Sequence, residues 1–91
     1  MQNQTQATEI STRQVLTGLD ALLTALGHET ETECELLREH LESARTYLIG
    51  SMPAEYQLSL EMASEVLDCI ADENLRRRAA AFIQSQRRHE P

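Results

Sequence analysis

The chain has no tryptophan, no lysine and one phenylalanine, Phe82, in 91 residues. With so few aromatics there is little to anchor a β core. The apolar content, 41% of residues with only 3% aromatic, is Leu, Ala, Ile, Val and Met, which suits packed helices. No run of about 18 apolar residues is present to span a bilayer. The opening stretch "MQNQTQATEI" has neither the basic start nor the apolar segment of a secretory signal. A cytoplasmic protein without a membrane partner is expected. Three glycines are too few for a glycine-rich phosphate loop, and no such pattern occurs. Two cysteines cannot form a disulfide framework, and in a reducing compartment they stay free thiols.

Catalysis and metal binding are equally short of material. His28 falls in a loop, His89 in the terminal tail, and His40 stands beside Glu39 rather than three or four residues from it. The Glu-x-x-His pattern of di-iron bundles is missing. A chain of this length buries only about 60–65% of its unfolded surface on folding, so its core is thin and spares little wall for a pocket. No catalytic residue, metal or cofactor is expected.

What the sequence does have is charge, unevenly placed. Residues 1–73 hold fourteen acids against Arg13, Arg38 and Arg45, whereas residues 74–91 hold five arginines against Glu90; together these give the net −7. Arginine presents a planar fork that suits carboxylates as well as phosphates. The basic end therefore fits a protein contact as readily as nucleic acid.

Periodicity predicts an all-α fold, a small bundle of three to four helices around a central antiparallel hairpin (about 32–49 and 53–71). Residues 1–10, rich in Gln and Thr, read as a disordered lead-in, 11–88 as a single helical domain, and 89–91 as a frayed tail. Ser11 and Gln14 have capping-box spacing, with Ile10 and Val15 as a hydrophobic staple. Val15, Leu16, Leu19, Leu22, Leu23 and Leu26 then form the stripe of a helix over about 12–26, ended by Gly27. Thr30 with Glu33, or Thr32 with Glu35, starts the second helix. Cys34, Leu37, Leu41, Ala44 and Leu48 line it, and Gly50 and Pro53 stop it.

Pro53 opens the third helix, which carries two stripes: Tyr56, Leu60, Ala63, Leu67 and Ile70, and beside them Met62, Val66 and Cys69. The segment Ala71–Asn74 separates it from a last helix over about 74–88, with Leu75, Ala79, Phe82 and Ile83 inward; one continuous bent helix is the alternative. If the hairpin turns near 51–52, Cys34 and Cys69 come to one level, as do Leu41 with Met62 and Tyr47 with Tyr56. The cysteines then read as small packed residues or as a redox pair.

On the last helix, Arg77 and Arg88 oppose the apolar side while Arg76 and Arg87 share a flank, an exposed basic stripe about three turns long. Phe82 and these four arginines are the candidates for partner or self contact. The expected function is that of a small acidic non-enzymatic adaptor or regulator that binds another protein through a helix face. A homodimer is expected as well, because the wide apolar stripes exceed what one short bundle covers. Such a protein resembles, in general look only, secretion chaperones, immunity proteins and anti-activators, with no motif selecting one. The alternative is a small DNA-binding regulator using the C-terminal arginines. The acidic body makes nucleic acid the poorer partner, since nonspecific DNA affinity is mainly electrostatic.

Overall fold

The structure, a computed structural model, describes the backbone of residues 2–87 and the side chains of residues 12–87. Four α-helices follow one another: α1 Gln2–Leu26, α2 Thr32–Ile49, α3 Pro53–Val66 and α4 Glu73–Arg87, with a short 3-10 turn at Leu67–Cys69. No strand occurs among the described residues. The most extensive packing is between α2 and α3, the expected central hairpin; α1 lies against α2 and α4, and α4 returns against α3.

Helix starts are where the sequence reading needs most correction. The bounds of α1 reach back to Gln2 rather than about 12, so Ser11 lies inside a helix and its capping box with Gln14 marks no terminus. No Pro or Gly interrupts the chain before Gly18, and adding residues to an existing helix costs far less than nucleating one. The backbone of the expected lead-in thus falls within α1 from Gln2 on, while its side chains and the tail at 89–91 lie outside the described residues. Neither threonine box opens α2. Its N-cap is Glu31, with no side-chain cap, and Glu33 and Glu35 sit in the first turn where they oppose the positive end of the helix. Asp72 does cap α4, its Oδ1 accepting from the Leu75 N–H at 3.0 Å. The last helix is therefore separate from α3 and begins at Glu73, not 74.

The end of α2 is closed by a residue the sequence does not advertise. The Met52 N–H donates to the Tyr47 carbonyl at 2.9 Å and the Ser51 N–H to the Leu48 carbonyl at 3.2 Å, the paired bonds of a Schellman closure. The left-handed position that this closure needs is Ser51, at φ 56°, while Gly50 stays at φ −78°. Serine carries a Cβ into a region glycine enters freely. Ser51→Gly is expected to raise stability by about 0.5–1 kcal/mol, read as a higher urea midpoint at unchanged slope.

One core joins all four helices. Leu19, Leu22 and Leu26 of α1 meet Cys34, Leu37, Leu41 and Ala44 of α2, Tyr56, Leu60, Ala63 and Val66 of α3, and Leu75, Ala79 and Ile83 of α4. Leu67 and Ile70 fill the α3–α4 junction. Phe82, half-buried, lies over Gly18, where a Cβ would stand 3.7 Å from its ring, in ordinary van der Waals contact. Polar links tie the bundle further. Arg45 Nε donates to Asp20 Oδ1 at 2.6 Å across α1 and α2, and Tyr56 Oη donates to Gln86 Oε1 at 2.8 Å across α3 and α4.

The second stripe of α3 needs correcting. Val66 is buried, but Met62 and Cys69 are exposed. The helix ends at Val66 rather than running to about 71, and the 3-10 turn that follows turns Cys69 outward. Met62 is left on the open side of the α2–α3 hairpin because α1 and α4 cover only the other side.

Candidate functional site

Among the described residues, the C-terminal arginines do not all face solvent. Arg76 is half-buried and donates through Nη1 to the Ile70 carbonyl at 3.2 Å, so it finishes the α3–α4 turn instead of facing a partner. Arg77 Nη2 reaches Glu73 Oε1 at 2.6 Å one turn earlier on its own helix. Arg78, absent from the sequence-based candidates, is exposed, as is Arg87; Arg88 lies outside the described residues. The counting of helical positions that placed Arg76 outward missed the carbonyls left open where the 3-10 turn ends. Among the described residues no ion pair joins these arginines to a carboxylate of α1 or α2. Asp20 is taken by Arg45, and Glu42 lies 3.5 Å from Arg38.

Cys34 is buried at the start of α2 and Cys69 is exposed on the 3-10 turn, and both thiols are free. Burial pushes the Cys34 thiol up, and Glu31, Glu29, Glu33 and Asp72 push it the same way. A raised pKa keeps a thiol protonated and slow as a nucleophile. No cluster of three metal-ligating side chains exists among the described residues.

The open side of the hairpin holds a surface groove. A groove of about 390 Å³ runs between α2 and α3, lined by His40, Ser43 and Tyr47 on one wall and Leu58, Ser59 and Met62 on the other, with Glu39 and Glu55 at its edges. His40 with Met62 and Ser43 with Ser59 face each other at the spacing of an antiparallel hairpin turning at 51–52. Leu58 is 57% exposed, Met62 42% and Leu36, one turn before His40, 42%. These three are large apolar side chains at successive turns of two adjacent helices, which single scattered surface leucines are not.

Acids frame this strip. Helical spacing puts Glu35, Glu39 and Glu42 along the outer edge of α2 and Glu61 and Glu65 along the outer edge of α3, all exposed. The hairpin's two arginines are paired with carboxylates, Arg38 with Glu42 of that edge and Arg45 with Asp20 of α1. Among the described residues, His40 is the one histidine on the face, and no arginine lines the groove. Sequence reasoning did not find this site: it placed Met62 in the core and gave Leu36 and Leu58 no role. The signal was available: Leu36, His40, Ser43 and Tyr47 repeat at steps of four, three and four beside the core stripe of α2.

Compared with protein-family models, with curated proteins and with solved structures, the chain matches none.

Proposed function

We propose that the protein is a small non-enzymatic adaptor or regulator, cytoplasmic, which binds another protein through the α2–α3 face. The observation that carries this reading is the exposure of Leu58 and Met62, one turn apart on α3, beside Tyr47 in a groove that no described part of the chain covers. Fully burying such side chains is worth about 1.5–3 kcal/mol each, a driving force available only to a partner. No helix among the described residues is long and apolar enough to cross a membrane. The test is capture from native extract with the wild-type chain and with Leu58→Glu/Met62→Glu. A protein retained by the first and lost by the second, at equal helicity, supports the reading; identical capture removes it.

A homodimer belongs to the same proposal only in one form. Two copies meeting through this face would set Glu39 and Glu55 against their symmetry mates, a repulsion that salt relieves. Two copies joined by tail arginines and body carboxylates would instead part as salt rises. Sedimentation from about 0.05 to 0.5 M salt separates the two by sign.

The DNA-binding alternative keeps one support, the exposure of Arg78 and Arg87 on α4. It requires a mobility shift with random duplex at low salt that falls steeply with salt and disappears in Arg77→Glu/Arg78→Glu. The acidic framing of the hairpin favours the protein partner, and no shift is expected.

A further inference from the structure

The geometry points to a basic amphipathic helix, supplied by another protein, as the occupant of the α2–α3 groove; this rests on the adaptor reading above. Three features of the face define the occupant. Its apolar groups are the exposed Leu36, Leu58 and Met62 together with Tyr47, with the polar His40, Ser43 and Ser59 set among them. Leu36 to Tyr47 covers twelve residues of α2, roughly 16 Å and about three turns, so a helix lying along it offers apolar residues at successive turns on one side. Among the described residues, the rims carry unpaired acids on both edges, Glu35 and Glu39 on α2 and Glu55, Glu61 and Glu65 on α3, while the hairpin's two arginines are engaged, Arg38 with Glu42 and Arg45 with Asp20. A helix seated between two acidic rims presents its flanks to them, and flanks bearing arginine or lysine complement both at once.

The alternatives fit less well. A second copy has one basic helix, α4, but the apolar side of α4 (Leu75, Ala79 and Ile83) is buried in its own bundle. The outer side, with Arg77, Ala81 and Gln84, has no large apolar group to cover Leu58 and Met62. The hairpin face set on its own copy would oppose acid to acid. An acidic or neutral helix would cover the floor and leave the rims unpaired.

The test uses the full chain and three helix-forming peptides of about 18 residues, identical in a leucine stripe and carrying lysine, glutamine or glutamate on the flanks. Amide chemical shifts report where each binds. The lysine peptide is expected to perturb His40, Ser43, Tyr47, Leu58 and Met62, and to bind about ten-fold more tightly than the glutamine peptide. The glutamate peptide is expected not to bind. Leu58→Ser/Met62→Ser is expected to abolish groove binding with amide shifts outside the face unchanged. That loss distinguishes a seated helix from a cation merely attracted to an acidic chain.

If glutamine and lysine peptides bind the groove equally, the basic class is overturned while the docking face survives. If none of the three perturbs the groove, both fall. Perturbation confined to the acidic start of α2, at Glu31 to Glu35, overturns the proposal. So does concentration-dependent self-association of the unliganded chain that the double serine variant removes, since the occupant is then a second copy.

Discussion

Leu41→Ala is expected to cost about 2–5 kcal/mol of folding stability. Leu41 sits mid-way along α2, fully buried in the core that all four helices share, and α2 packs on both α1 and α3. Truncation there removes apolar burial and leaves a void that helices tied on two sides cannot close. At about 0.05–0.15 kcal/mol per residue, a chain of this size has a total stability of roughly 5–14 kcal/mol. The loss is a large share of it, and a melting temperature lower by more than about 10 °C follows at about 4–8 °C per kcal/mol. Leu36→Ala, five residues earlier on the same helix but 42% exposed, is expected to stay within about 0.5 kcal/mol. Urea unfolding of the two variants compares them directly. Equal losses would mean that the hairpin's open side is covered in solution, and the docking face would be lost with the contrast.

That contrast between Leu36 and Leu41 also shows what the sequence could and could not reveal. The core stripes were legible because burial follows helical spacing. Cys34, Leu37, Leu41 and Ala44 are buried as expected, as are Tyr56, Leu60 and Ala63. The hairpin and its turn followed from Gly50 and Pro53. Helix ends were harder because a cap is decided by competing local bonds. Thr30 and Thr32 both offered a hydroxyl, yet Glu31 became the N-cap without using its side chain, and Ser51 took the left-handed turn although Gly50 stood beside it.

The candidate site was the least legible part. An apolar residue next to a core stripe reads as core until the number of covering helices is known. Met62 was counted inward on the assumption that α3 has neighbours on two sides, but α1 and α4 both lie on the opposite side of the hairpin. Arg76 shows the same limit from the polar side. Position on a wheel put it outward, but the carbonyl of Ile70, freed where the 3-10 turn ends, drew its guanidinium back. In both cases the deciding fact was the path of another segment, which residue spacing within one helix does not carry.

Tyr56 gives the chain a stability step in alkaline solution. Its ring is buried in the core, its hydroxyl donates to Gln86 across α3 and α4, and burial pushes its pKa from the ordinary 10 up to about 12. The native state therefore favours the neutral phenol. The associated stability is present in full below pH 10, is lost as the pH rises towards 12, and is gone above the folded value. The full shift would be worth about 2.7 kcal/mol; because the hydroxyl's bond is only part-buried, about 1–2 kcal/mol is the expected loss. Tyr56→Phe separates this from other alkaline effects, including that of Cys34, which both proteins share. At neutral pH the variant lacks one hydrogen bond and is expected to be less stable by about 0.5–1.5 kcal/mol. Between pH 10 and 12 only the wild type pays the cost of ionising the phenol, so the two stability curves should converge and meet or cross. Urea unfolding at intervals across this range measures the gap. Parallel curves would show that the Tyr56 hydroxyl is solvated in the native state and that the bond to Gln86 does not hold α4 against α3.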